Sequence, residues 1–225
     1  MCVGARVAAV AGSAGCLPDA IQSILSRTVW LCNENGHGSE ILYGLSIALV
    51  AAMTSDLHSS AEEWVQLVDE NNRPTGQALR SLMRANGLLH RATFIFVYGE
   101  DGRLFAQRRA LQKDLYPGYW DAAAGGVMRP GETYLDNATR EVREELGIEP
   151  EHLEEADEFL FQSTNYRVWG RSFVVRSDGP FTFTDDEVSE GQFVTEQGLL
   201  QGELAPVTPD SLYALRRLVA QRRIK

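Results

Sequence analysis

Cysteine is nearly absent from this chain. Of 225 residues only Cys2, Cys16 and Cys32 carry a thiol, and none follows position 32. That excludes a disulfide framework and a thiol nucleophile over the rest of the sequence. It also suits a reducing compartment, so a cytoplasmic location is expected. Basic charge is short as well: 21 Lys and Arg against 31 Asp and Glu leave a formal net charge of −10. So acidic a chain is not held to nucleic acid by charge, because phosphate backbones need basic patches. A phosphorylated small molecule remains open to it, since a divalent cation can neutralise both partners locally. Long apolar runs are missing too. Ile41 to Met53 is apolar over only 13 residues, against the roughly 20 that a membrane span requires. It lies too far into the chain, with the wrong flanking charge, for a secretory signal. No membrane partner is expected, and no internal repeat or long linker is evident.

The length allows one domain with a substantial core, plus an extension. Residues 1–60 are rich in Ala, Gly, Ser and Cys, with Arg6 and Arg27 their only basic residues. They read as an atypical extension, with the domain spanning 61–225. The composition break, with a methionine just before the first periodic segment, points to Met53 as the native start. The alternative is an accessory helix that packs on the domain or joins two copies into a homodimer.

What is present concentrates between Gly126 and Ile148, which read GVMRPGETYLDNATREVREELGI. Leu135 to Leu146 holds good helix formers without internal Gly or Pro, and Gly147 stands where a left-handed residue closes a helix. Leu135, Ala138, Val142 and Leu146 form one apolar stripe. Glu141 and Glu145 are neighbours at i, i+4, and Glu144 follows Glu141 by three, so a carboxylate cluster lies beside that stripe. Like charges so placed cost a few tenths of a kcal/mol per pair on an exposed helix. They cost more at the edge of a core unless a cation sits among them. Hard oxygen ligands suit Mg²⁺, or Mn²⁺ in its place. Arg140 can pair with Glu144 one turn on and with Glu132 in the preceding loop. The small residues of AAAGGV, from Ala122 to Val127, allow a close approach of backbone and phosphate.

The same segment fits G-x5-E-x7-R-E-U-x-E-E-x-G-U, with U a bulky aliphatic residue, at all nine constrained positions. It thereby resembles the Nudix hydrolases. The resemblance implies an α+β fold, a Nudix α/β/α sandwich with a mixed sheet and a catalytic box helix. It implies Glu141, Glu145, Glu144 and the carbonyl of Gly126 as metal ligands, with Mg²⁺ as cofactor. It places Glu141, Glu144, Arg140 and, before a late strand, Glu187 in the catalytic set, with the identity of the general base open. Glu132 and Gly147 are supports of loop and helix. The reaction implied is metal-assisted attack of water on a diphosphate linkage in a small molecule of the nucleoside-diphosphate-X kind.

The other elements read as follows. Trp64–Val68 alternates like a strand, 71–74 is a turn, and Ala78 to Asn86 is a short helix stopped by Gly87. Strands are expected over Thr93–Tyr98, Arg103–Arg109, Glu158–Gln162, Arg167–Arg176 and Gly191–Thr195. A last helix begins at Thr208-Pro209-Asp210 with Thr208 as N-cap and an apolar face of Leu212, Leu215 and Val219.

From His90 to Gly126, and in RRALQK and PGYWD above all, the chain is also similar to type-1 isopentenyl-diphosphate isomerases. That likeness implies Arg109 and Lys113 as ligands of the substrate diphosphate and aligns His90 with a metal histidine. The isomerase cysteine and histidine positions, however, hold Gly125, Val127 and Met83, while the acidic box is intact. Both departures favour hydrolysis. An isomerase-like enzyme and a catalytically silent Nudix binding module are the alternatives. Trp120, Tyr166 and Trp169 are candidates to stack on a base, though such aromatics commonly belong to a core.

Overall fold

A computed structural model describes residues 62–164, 166–183 and 186–222, all within the compact unit His58–Lys225. The expectations placed on residues 1–60, including the start at Met53 and the accessory helix, lie outside the described residues.

The sheet is built around β3 (His90–Tyr98), a run of β-branched and aromatic residues buried on both faces. Its alternate side chains separate into two cores. Ala92, Phe94, Phe96 and Tyr98 enter one, while Ile95 and Val97 enter the other. A strand buried on both sides needs helices on both sides. β3 pairs in parallel with β7 (Arg167–Arg176), from His90↔Val168 to Tyr98↔Arg176. It bridges β1 (Trp64–Val68) at Leu67 and β4 (Leu104–Arg109) at Leu104, both antiparallel. β4 in turn pairs with the two-residue β5 (Trp120–Asp121) and with β8 (Val188–Val194), and β6 (Glu154–Gln162) pairs antiparallel with β7. The mixed sheet is as expected.

β2 (Pro74–Leu79) was not anticipated. It forms a hairpin with β1, Trp64↔Leu79 to Val68↔Pro74, so Ala78 is strand and the helix α1 covers only Arg80–Ala85. The backbone of 76–79 finds its partners across the hairpin, which outweighs the helical propensity of Ala78 and Leu79. Gly87 follows with φ +57.

The box helix α2 runs Tyr134–Leu146. Thr133 and Asp136 form a capping box, and Gly147 closes it at φ +67. Its apolar row differs from the expected one at the first turn. Leu135 is 52% exposed, and Tyr134 is the residue that enters the core. Tyr134 is held there by the Arg171 guanidinium 4.3 Å above its ring and by a hydrogen bond from Asn72. The larger difference concerns charge. The buried face includes Asn137, Glu141 and Glu145 as well as Ala138, Val142 and Leu146, so two carboxylates lie inside the packed arc rather than beside it. Ala138, Val142 and Leu146 pack with Ile95 and Val97 of β3.

On the opposite face, α4 (Pro209–Arg222) packs against β6 and β7. It buries Ser211, Ala214, Leu215 and Leu218; Leu212 and Val219 are half-buried, so the buried stripe is rotated from the expected one. Thr208 stands at the N-cap position, and its carbonyl accepts from Leu212 N–H at 3.1 Å. Its hydroxyl turns inward to Asp121 Oδ1 at 3.0 Å, and Ser211 N–H donates to Asp210 instead. A further short helix, α3 (Glu196–Leu200), is capped by Thr195 and had no apolar period long enough to announce it. Among the described residues no helix is long and apolar enough to cross a membrane.

Candidate active site

A cavity of about 760 Å³ opens over the edge of α2. Its walls come from β3 (Thr93), the 122–127 loop, α1 (Arg80, Arg84), the segment from Arg109 to Tyr116, and Arg140, Glu141 and Glu144 of the box helix.

The loop is fastened to β3 by backbone hydrogen bonds: Ile95 N–H to Ala124 O (2.7 Å), Ala124 N–H to Ile95 O (3.0 Å) and Thr93 N–H to Gly126 O (3.1 Å). That proximity explains the two glycines. Gly125 has φ +142, and a Cβ there would stand 2.1 Å from the Thr93 carbonyl oxygen. A Cβ on Gly126 would meet Glu141 Oε1 at 2.5 Å. The first glycine is required by the strand behind it, the second by the carboxylate in front. The Gly126 carbonyl, expected as a metal ligand, spends one lone pair on Thr93 N–H and has its second free of that bond.

Glu145 lies beneath the loop, 3% exposed. Its Oε2 accepts hydrogen bonds from Gln107 Nε2 at 2.8 Å and Gly125 N–H at 3.0 Å. Burial raises its pKa well above the carboxylate range, and the charge of Glu141 raises it further against the pull of those two donors. Glu141, also buried, is raised for the same first reason, with Arg140 opposing and Glu144 and Glu187 adding to the rise. Burial and mutual repulsion disfavour the charged form of both carboxyls, and Arg140 only partly offsets this at Glu141.

Arg140 is the hub on the outer side. Its Nε is 2.9 Å from Glu132 Oε1, and its Nη1 is 2.8 Å from both Glu141 Oε1 and Glu144 Oε2. Glu132 also accepts from Arg129 N–H (2.8 Å) and Asn137 Nδ2 (3.0 Å). Burial raises its pKa, but the donors outweigh that and hold it below the usual value. Glu132 thus ties the preceding loop to the box helix, and Gly147 ends that helix at φ +67.

Glu141 and Glu145 form the inner pair, and Glu144, 44% exposed at its side chain, sits at the rim. Among the described residues no three acidic, His or Cys side chains already enclose a metal-sized space. The chemistry of the donors nevertheless fits a hard divalent cation: all are oxygen, two are buried and mutually repelling, and the backbone in front of them carries no side chain.

Arg109 and Lys113 reach the same cavity, each already held by a carboxylate. Arg109 Nη1 is 3.1 Å from Asp121, its Nε donates to Leu115 O (3.0 Å), and Lys113 Nζ is 2.5 Å from Glu187. Glu187 is thus brought to the site across more than forty residues of sequence from the box helix. His90 does not line the cavity. It is 1% exposed, with Nδ1 2.9 Å from Leu88 O and Nε2 unpartnered, and burial pushes its pKa down to about 4, which leaves it neutral. Of the three aromatics, Tyr166 lines the cavity; Trp120 packs against the core and Trp169 stays outside the cavity lining.

Sequence reasoning missed Gln107, Asn137, Arg80, Arg84 and the Asp121–Thr208 pair. One signal was available for Gln107. It shares the inward parity of Phe105 on β4, where a polar residue among apolar ones needs a polar partner.

The NUDIX domain family matches residues 88–218. An uncharacterized Nudix hydrolase of Pseudomonas aeruginosa, PA4841, is 43% identical over 159 residues, 70% of this chain and 94% of that protein. The Escherichia coli K12 relative YfcD, likewise an uncharacterized Nudix hydrolase, is 44% identical over 156 residues, 69% of this chain and 86% of its own. Among solved structures, DR0079 from Deinococcus radiodurans superposes with a TM-score of 0.60 at 30% identity, over 69% of this chain and 99% of the other. The family match over residues 88–218 and the identity to these relatives show that this chain belongs to the NUDIX domain family.

Proposed function

We propose that this Nudix hydrolase cleaves a diphosphate linkage in a small molecule of the nucleoside-diphosphate-X kind, with Mg²⁺ (or Mn²⁺) held by Glu141, Glu145, Glu144 and the Gly126 carbonyl. The observation that carries the reading is the buried Glu141–Glu145 pair packed against two glycines, with Glu141 and both glycines lining the cavity and Glu145 bonded beneath them. Bound there, the cation would polarise a non-bridging phosphate oxygen and acidify a water. The chain's own groups do the rest. Arg109 and Lys113 exchange part of their carboxylate pairing for substrate phosphate, which fits charge-assisted hydrogen bonding. A carboxylate of the Glu141, Glu144 and Glu187 set accepts the proton of the attacking water, and Arg140 positions the first two of these.

Gly125 supports hydrolysis over isomerisation. It occupies the isomerase cysteine position, and in this backbone the Thr93 carbonyl leaves no room for any Cβ. The test is a screen of nucleoside-diphosphate derivatives and dinucleotides, read by phosphate release with Mg²⁺ and Mn²⁺. Glu145→Gln is expected to abolish turnover while circular dichroism stays native. Undiminished turnover by that variant, or conversion of isopentenyl diphosphate to its allylic isomer by the wild type, sinks the proposal.

A further inference from the structure

The reaction above makes no use of α1, yet α1 brings two arginines to the cavity wall. Arg80 and Arg84 are four residues apart, on one face of the helix. Both are deeply set, with side chains 10% and 16% exposed. Neither guanidinium is saturated. Arg80 Nη1 stands 3.3 Å from Glu63 Oε2, while its Nε has no hydrogen-bond partner. Arg84 Nε is 2.7 Å from Asp114 Oδ2 but off the hydrogen-bond line, and its Nη1 meets no acceptor. The counter-charges are themselves divided: Glu63 also holds Arg129 at 2.7 Å, and the Asp114 side chain is 49% exposed to water.

Two like charges one turn apart weaken so short a helix. Buried donors without acceptors add the cost of lost hydration. Burial first, and the charge of Arg80 next, push the Arg84 guanidinium below its ordinary pKa. The arrangement mirrors Glu141 and Glu145 with the sign reversed, and the partner that relieves it is an anion.

We propose that Arg80 and Arg84 form a second anion subsite in the cavity that also holds Arg109 and Lys113, which takes a phosphomonoester carried by the substrate in addition to the diphosphate that is cleaved. Two guanidinium groups offer two positive charges and planar paired donors. A phosphomonoester, at close to two negative charges, matches them, and a carboxylate supplies only half. A cavity of about 760 Å³ that includes both Arg84 and Glu141 has room for a ligand of nucleotide size. The assignment of the cleaved bond rests on the diphosphohydrolase reading; the anion subsite itself stands on the arginine pair.

Matched ligands that differ by one anionic group test this. Coenzyme A against 3′-dephospho-coenzyme A, and NADPH against NADH, vary a phosphomonoester; UDP-glucuronate against UDP-glucose varies a carboxylate. Binding is measured by calorimetry with Ca²⁺ in place of Mg²⁺, and kcat/KM separately with Mg²⁺. The phosphorylated member is expected to bind at least about tenfold more tightly, a preference that falls to within about threefold of unity in Arg84→Gln and in Arg80→Gln. Equal binding in both phosphate pairs, a preference untouched by either substitution, or a preference confined to the carboxylate pair overturns the proposal. Phosphate-dependent binding without hydrolysis of any ligand would retain the subsite and sink the diphosphohydrolase reading; hydrolysis without phosphate preference would do the reverse. If a variant melts before assay, the wild type decides alone: adenosine 3′,5′-bisphosphate must displace coenzyme A at least about tenfold better than adenosine 5′-monophosphate. Equal displacement by the two overturns the subsite.

Discussion

Replacing Glu145 by glutamine in the metal-free protein should make it more stable, and only where the glutamate is charged. Both donors to Glu145, Gln107 Nε2 and Gly125 N–H, reach the same oxygen, Oε2, so the amide oxygen of glutamine can accept both. The amide NH₂ then takes the place of Oε1. Repulsion from Glu141 is removed and the buried charge is gone. In the wild type the folded carboxyl titrates above its ordinary value of 4.5, because burial and Glu141 disfavour its charged form. Its stability is therefore complete below about pH 4.5 and falls as pH rises through neutrality toward the folded value. Each tenfold change in proton affinity is worth about 1.4 kcal/mol. For a group this buried, a gain of about 1–3 kcal/mol at pH 8 is a conservative reading, or about 2–4 °C in Tm per kcal/mol for a domain of this size. Thermal melts in EDTA at pH 5, 6, 7 and 8 measure it. The gain should be smallest at pH 5 and largest at pH 8. Millimolar Mg²⁺ should raise the Tm of the wild type by mass action and that of the variant much less. A variant that melts below the wild type at pH 8, or a difference equal at pH 5 and pH 8, refutes the argument that charge burial sets the state of this site.

Two further substitutions probe the frame around the pair. Arg140→Met removes the cation that holds Glu132, Glu141 and Glu144; a loss of about 2–4 kcal/mol is expected in urea melts at pH 8, shrinking on acidification as the carboxylates protonate. A pH-independent loss would mean that packing of the arginine stem, not its charge, is what matters. Gly126→Ala places a methyl group 2.5 Å from Glu141 Oε1, so Glu141 must swing away. Phosphate release should fall by about a hundredfold or more for a stability cost of only about 1–3 kcal/mol. Retention of wild-type kcat by this variant would show that Glu141 need not stand where the structure puts it.

Much of the site was legible because its parts are local in sequence. Arg140, Glu141, Glu144 and Glu145 occupy successive turns of one helix, and helical spacing alone groups them. Thr133, Asp136 and Gly147 announce the ends of that helix by capping chemistry. The errors lie where a non-local partner overrode a local preference. Ala78 and Leu79 became strand because β1 offered hydrogen bonds across a hairpin. Leu135 gave up its core place to Tyr134 because Arg171 and Asn72, distant in sequence, hold the tyrosine ring and hydroxyl. Thr208 kept the N-cap position but turned its hydroxyl to Asp121, itself paired with Arg109, a partner far off in sequence.

The sequence by itself determined the family and the fold, the extent of the box helix and which glutamates gather along it, since these follow from spacing within a single element. Only the tertiary structure decided that Glu141 and Glu145 are buried rather than rimming the core. That depends on the 122–127 loop being fastened over them by β3. Only the tertiary structure set Glu187 beside Lys113 and brought Arg80 and Arg84 to the same cavity. Charge state and ligand preference depend on burial and on neighbours from other elements, and burial is a property of the packed chain.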